Sequence, residues 1–317
     1  MKVNNLEYSN YILSILEAIN KTELSEYTKK TIKSNLNKVY NATKTTFIKD
    51  VISEFSKIEN VNSRHTFLGA IKSVIKNVEL NINEKDLKKV NDLFLLIKLK
   101  KEKNDLTTQA NTKQQNRYIS YKELADLTDK LEDTEDKLYY GLYTYQPPLR
   151  ADYNAIYIID NTLTKQAEDI ETLDNNKNYY SVKTNQFIIN EYKTARTHGR
   201  IIFKPPTKLK NLIIKSLEDK PRAVLLYNHI RGVNYPITPN YLSKRIAHIS
   251  TIILKDNIKI ADENKAISIN DLRHLFIEEN NFETTNDIEE LLNNAYKMGH
   301  SLFVSQKIYK KDYNKEN

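Results

Sequence analysis

Five short stretches between residues 147 and 309 carry side chains able to act on an anionic centre. In order they are PPLRADY with Arg150, NEYKTARTHG with Lys193, SINDLRHLF with Asn270, Arg273 and His274, MGHS with His300, and SQKIY with Tyr309. Arginine offers a planar fork of donors that fits two oxygens at once, which lysine does not. Only 9 of the 49 basic residues are arginine, so each arginine is more informative than in an ordinary chain. Arg273 stands among Leu272, Leu275 and Phe276, and a guanidinium buried there needs a partner. Lysine and histidine can move a proton. A tyrosine hydroxyl becomes a nucleophile once it loses a proton whose ordinary pKa is about 10.

These residues need elements to hold them. Residues 118–317 read as a mixed domain. Ser120 with Glu123 predicts a capping box ahead of Leu124, Leu127 and Leu131, and a further helix is expected to end near Tyr145, before Pro147 and Pro148. Strands are expected over 154–160, 186–194 and 200–206, the last two forming a hairpin around ARTHG with Lys193 at the end of one strand. From Lys208 onward the pattern is helical again, through Leu209–Leu217 and Leu242–Ile253. The first hundred residues read as a small all-helical domain of five helices. They are expected around Leu6–Ile19, Leu24–Val39 with Thr22 as N-cap, Phe47–Phe55, Phe67–Ile75 after a turn at Asn62 and Ser63, and Leu87–Ile97. Between the domains, KEKNDLTTQANTKQQNR over 101–117 holds almost nothing able to pack in a core and reads as a polar linker. The fold class expected is mainly α with a small β-sheet (α+β).

Composition narrows the chemistry. The five glycines, Gly69, Gly141, Gly199, Gly232 and Gly299, lie far apart, so no phosphate-binding glycine loop and no dinucleotide fingerprint is present. The absence of cysteine excludes disulfides and thiolate nucleophiles or ligands. The net charge of +8 favours a polyanionic partner. No apolar run approaches the ~20 residues of a membrane-spanning helix, and MKVNNLEYSN lacks a secretory apolar core. An intracellular location, whether cytoplasm, nucleus or a viral compartment, is the expectation, with no membrane partner.

Taken together, the five stretches resemble the tyrosine recombinase (integrase) family, whose pattern is Arg, a hairpin Lys, His-x-x-Arg, His or Trp, then Tyr. Leu-Arg-His at 272–274 resembles the second arginine box, and Met-Gly-His-Ser at 298–301 resembles the family's Leu-Gly-His-Ser. Tyr309 follows at the family's usual interval. PPLRADY is similar to recombinases of eukaryotic DNA viruses, virophages and related mobile elements. The resemblance implies a helical core-binding domain over 1–100 tethered to a catalytic domain over 118–317, closing as a C-shaped clamp around DNA. It also implies the roles. Arg150 and Arg273 would stabilise charge on the phosphate, Lys193 would protonate the departing 5′ oxygen, His300 would hold the phosphate, and Tyr309 would form a 3′-phosphotyrosyl bond. The ester conserves the bond energy, so neither ATP nor metal is needed and no cofactor is expected.

Asn270 departs from the pattern, standing where the family places a histidine. Asparagine can donate to a phosphate but cannot act as a base near neutral pH, which leaves proton removal to water, His300 or the substrate. Asp152 is displaced from the acidic position after the first arginine. His274, adjacent to Arg273, is expected to point elsewhere and to be structural. Double-stranded DNA with specific sites and a homotetramer on that DNA are the implied partners. The eight residues KKDYNKEN after Tyr309 read as too short for a substantial exchanged helix. A type IB topoisomerase-like relaxing enzyme and a decayed DNA-binding homologue are the competing readings.

Overall fold

A computed structural model of the chain describes residues 15–43, 58, 60–78, 83–105, 109–159, 173–230, 233–255, 260, 265–281, 283–285 and 287–313. The chain divides into two compact units, Met1–Leu106 and Thr107–Asn317. The architecture is mainly helical with a small sheet, the α+β class expected. No described helix is long and apolar enough to cross a membrane.

The first unit contains α1 (Glu26–Thr43), α2 (Val61–Asn77) and α3 (Glu84–Asp105), and residues 15–20 are also helical. Val39, Leu68, Ile71, Val90 and Ile97 form one core cluster, and Ile19, Ile32 and Val74 another. The helix expected at Phe47–Phe55, and the first part of the one expected at Leu6–Ile19, lie outside the described residues. Two boundaries differ from expectation. Thr22 does not cap α1: its hydroxyl donates to the Ile19 carbonyl at 2.8 Å, closing the preceding turn, while the Ser25 hydroxyl accepts the Thr28 amide at 3.2 Å. Asn60, rather than the Asn62–Ser63 turn, starts α2 by accepting the Ser63 amide at 2.9 Å.

The stretch read as a polar tether is structured over much of its length. α3 runs into it as far as Asp105, and α4 (Thr112–Gln115) is a single turn closed by a reciprocal Asn111–Gln114 capping box. Composition misleads here because backbone and capping groups, which apolar patterning does not register, do the ordering.

The second unit continues with α5 (Tyr121–Asp129), α6 (Thr134–Thr144), a 3₁₀ turn (Ala151–Ala155) and β1 (Ile156–Ile159). Then come β2 (Asn178–Ser181), β3 (Gln186–Ile189), α7 (Ala195–His198), β4 (Ile201–Phe203) and α8 (Thr207–Asp219). The hairpin β5 (Tyr227–Ile230) and β6 (Val233–Pro236) precedes α9 (Pro239–Ile253), α10 (Ile269–Glu279), α11 (Ile288–Lys297), α12 (Leu302–Val304) and a π turn over Ser305–Tyr309. The sheet order is β1-β2-β3-β4, with β1 and β2 parallel and the other pairs antiparallel.

Ser120 caps α5 through the Glu123 amide as expected, at 3.0 Å. β2 and the β5–β6 hairpin are absent from the sequence reading, which has helix throughout after Lys208. All four β2 residues are buried, so no polar–apolar alternation marks the strand. The strand expected over 186–194 stops at Ile189 because the Asn178 carboxamide takes the amides of Asn190 and Glu191, at 2.8 and 2.7 Å, in place of a ladder partner.

Candidate active site

Separate elements of the second unit deliver the parts of the site. Helix α6 ends at Tyr145, and Pro147 and Pro148 cannot continue it. The chain therefore turns at Leu149 and enters the 3₁₀ turn with Arg150 as its first cap. The Tyr143 hydroxyl, in the last turn of α6, donates to the Arg150 carbonyl at 2.8 Å and fixes that residue's backbone.

Helix α10 begins at a Ser268–Asp271 capping box and carries Arg273 and His274 one turn later. Arg273 is 1% exposed. Its Nη1 donates to the Pro148 carbonyl at 2.6 Å, and both terminal nitrogens reach the Met298 carbonyl at 3.3 Å. Arg273 thus ties together the three segments that bear Arg150, itself and His300. Burial lowers its pKa, and the neighbouring Tyr309 opposes that fall.

Met298–Ser301 is a sharp turn made possible by Gly299 at φ 69°, a left-handed conformation that favours glycine. A Cβ there would also press on the Tyr192 ring at 3.0 Å. The turn buries His300, whose Nδ1 donates to the Ser301 carbonyl at 3.2 Å. That bond fixes the tautomer and leaves Nε2 as an acceptor.

The Ser301 hydroxyl caps α12 through the Val304 amide, and the chain widens into the π turn, closed by the Lys310 amide on the Ser305 carbonyl at 3.1 Å. Such i→i+5 turns recur at functional sites. This one swings Tyr309 inward to 8% exposure. The Tyr309 ring stacks on His300 with centroids 5.2 Å apart and planes 16° apart, and the Arg273 guanidinium lies 4.7 Å from its centroid. Arg150 Nη2 donates to the Tyr309 hydroxyl at 3.4 Å.

The electrostatics follow from these contacts. Burial would raise the Tyr309 pKa, but Arg273 and Arg150 outweigh it and hold the phenol below its ordinary value. Burial raises Tyr121, Tyr143, Tyr153 and Tyr313 instead. Burial and the two arginines drive His300 down to about 3, so its ring is neutral at ordinary pH. Asp152 is raised by burial and partly held down by Arg150 and Arg273. Although displaced in sequence, it sits within the field of both guanidiniums. Arg150 Nη1, Arg273 Nε and His300 Nε2 are buried without a partner among the described residues. Two cations and these open polar atoms around one phenol favour a negatively charged partner.

The structure thus brings Arg150, Arg273, His300 and Tyr309 together. Two expected site residues are exposed. Asn270 is exposed on the first turn of α10. Lys193 is exposed and lies four residues past the end of β3 rather than on the strand. Its segment is still anchored at the site, because the Thr194 hydroxyl donates to the Gly299 carbonyl at 2.6 Å. Lys183, on the β2–β3 turn, and Lys204, just past β4, are exposed too.

His274 has the structural role expected of it, but beside Tyr309 rather than away from the site. Instead of pointing elsewhere, it is buried with Nδ1 donating to the Tyr309 backbone carbonyl at 2.5 Å, and its ring lies 5.1 Å from that of Tyr309. We expect His274→Ala to lower stability by about 1–3 kcal/mol, the cost of an unpaired buried carbonyl, and to slow any reaction of Tyr309. Thermal melting alongside a rate measurement checks both; a rate equal to wild type would remove His274 from the support of Tyr309.

The His300 shift sets a pH dependence. The unfolded imidazole binds a proton near pH 6.5 and the folded one near 3. Stability from this group is complete above about pH 6.5 and is lost as pH falls towards 3, by at most about 1.4 kcal/mol per pH unit. His300→Gln should therefore flatten the acid limb of a stability–pH curve. Parallel curves for the two proteins would contradict a buried neutral His300.

No family model matches the chain, and no curated protein matches it. Among solved structures the chain is similar to one described as the crystal structure of XerA recombinase, at 13% identity over 97% of this chain and 95% of that one, with a TM-score of 0.39.

Proposed function

We propose that this protein cuts and rejoins DNA through a covalent phosphotyrosine on Tyr309. The observation that carries the reading is the setting of that phenol. Among the described tyrosines with a shifted pKa, Tyr309 is the one shifted downward, and the cause is the pair of guanidiniums beside it, a pair of the kind that would bind a phosphate. Both the lowered pKa and the flanking arginines are what a tyrosine nucleophile needs.

In the proposed step the Tyr309 oxygen attacks the phosphorus of a DNA phosphodiester. A Tyr–O–P bond forms, the bond to the 5′ oxygen breaks, and a 3′-phosphotyrosyl end and a 5′ hydroxyl result. Arg150 and Arg273 bind the non-bridging oxygens as charge builds. Lys193 protonates the departing 5′ oxygen from the segment anchored at Gly299. His300 presents Nε2 to the phosphate, whose charge favours a protonated imidazole that donates to it. With Asn270 exposed and His300 a weak base, the phenol's proton goes to water or to the phosphate. Attack by a 5′ hydroxyl reverses the step and frees Tyr309.

Within this reading residues 1–100 form the DNA core-binding domain, 118–317 the catalytic domain, and 101–117 their connection. Strand exchange at specific sites, in integration or excision, takes place in a homotetramer. A nicked duplex that loses its 5′ fragment on cleavage traps the intermediate. The expected product is a protein–DNA adduct resistant to denaturant. Its absence across a pool of sequences would overturn the proposal. Efficient relaxation of supercoiled plasmid lacking any specific site would favour the topoisomerase-like alternative.

A further inference from the structure

The segment taken from composition as a tether holds the chain on both sides of the candidate site. The Ala110 amide donates to the Asp312 carbonyl at 3.0 Å, and Gln115 Nε2 reaches the same oxygen at 3.3 Å. Gln109 pairs with Asp312 in a parallel bridge. The Tyr118 and Tyr313 rings meet at 4.8 Å. These contacts fix the chain three and four residues beyond Tyr309.

The segment and the start of α5 that follows it grip α10 at its two ends. Arg117 Nη1 pairs with Asp271 Oδ2 at 2.9 Å, with the side chains only 13% and 17% exposed. That carboxylate oxygen also accepts the Ser268 amide and hydroxyl, at 2.9 and 2.8 Å, to close the helix cap. At the far end the Glu279 carboxylate accepts the amides of Tyr121 and Lys122, the first residues of α5. Arg273 and His274 lie between the two grips. A partly buried charge pair on a helix cap, joined to backbone bonds on the following chain, resists sliding far better than a solvated tether.

We infer that Arg117 is a positioning residue, through which the segment 109–118 holds Arg273 on α10 in register with Tyr309. The assignment rests on the reading of Tyr309 as nucleophile. It gives the first residues of the second unit a role in reactivity rather than in reach. Arg117 touches none of the reacting atoms; it acts through Asp271, and the Ala110 and Gln115 bonds act through Asp312.

The test reads the site without DNA. In the full chain labelled with [¹³Cζ]tyrosine, the resonance missing from Tyr309→Phe reports the phenol, which faces Arg150, Arg273, His274 and His300. Arg117→Gln should move its titration midpoint upward by about one unit as Arg273 drifts away. Arg117→Lys, which can still pair with Asp271, should restore most of that shift. An unchanged midpoint in folded Arg117→Gln would overturn the inference. If Arg117→Gln does not fold, Gln115→Leu replaces it, with a smaller upward shift expected and no shift again overturning it. The adduct assay is separate, so failure of DNA cleavage and failure of this coupling are told apart.

Discussion

Arg273→Ala is expected to slow strand cleavage about 10²–10³-fold, the usual consequence of losing one preorganised donor to a developing oxyanion. The structure adds a second consequence. Arg273 is 1% exposed and satisfies the carbonyls of Pro148 and Met298. Removing it leaves both buried and unpaired, at about 1–3 kcal/mol each, so the variant should also melt earlier. Arg273→Lys keeps the charge but not the fork and cannot serve both carbonyls and a phosphate together. Arg150 is less buried, and the one hydrogen bond described from its side chain runs to the Tyr309 hydroxyl. Arg150→Ala should therefore show a comparable rate loss with a smaller change in melting. Single-turnover cleavage and thermal melting of the three variants check the set, and a folded Arg273→Ala protein cleaving at the wild-type rate would refute the assignment.

Tyr309→Phe should abolish covalent attachment while leaving the fold nearly intact. The hydroxyl contributes a long 3.4 Å bond from Arg150, and losing such a bond costs about 1 kcal/mol or less. The ring keeps its stack on His300 and its place beside Arg273, and the backbone carbonyl keeps His274. Tyr313→Phe is the matched control, because burial pushes its pKa up and its ring packs on Tyr118. It should still form the adduct. Denaturing gels of trapped reactions separate the two outcomes, and an adduct that persists in Tyr309→Phe would exclude Tyr309 as the nucleophile.

The parts legible in the sequence were those set by residue type and spacing. Arg150, Arg273, His300 and Tyr309 stand on four separate segments, and the structure gathers them around one phenol. The helices with strong apolar periodicity and the β3–β4 hairpin were legible for the same reason. What escaped the sequence depends on three-dimensional detail. Consecutive helical residues diverge by about 100°, so His274 is expected to point elsewhere than Arg273. The π turn instead brings the Tyr309 carbonyl to one and its ring to the other. The segment 109–118 offers little apolar surface, yet its Ala110 amide, Gln115 carboxamide and Arg117 Nη1 find partners across the unit. Lys193 falls beyond a strand that ends four residues before it, because Asn178 intercepts the backbone of Asn190 and Glu191. Polar side chains that compete with the ladder leave no periodic signature.

The most direct measurement is the identity of the residue that carries the nucleotide. Adduct from the nicked duplex would be digested with nuclease and protease, and the modified peptide sequenced by mass spectrometry. The account predicts a nucleotide 3′-phosphate on Tyr309, within SQKIY. A phosphodiester mapped to any other residue, or no modified peptide from DNA that has been cut, would contradict it.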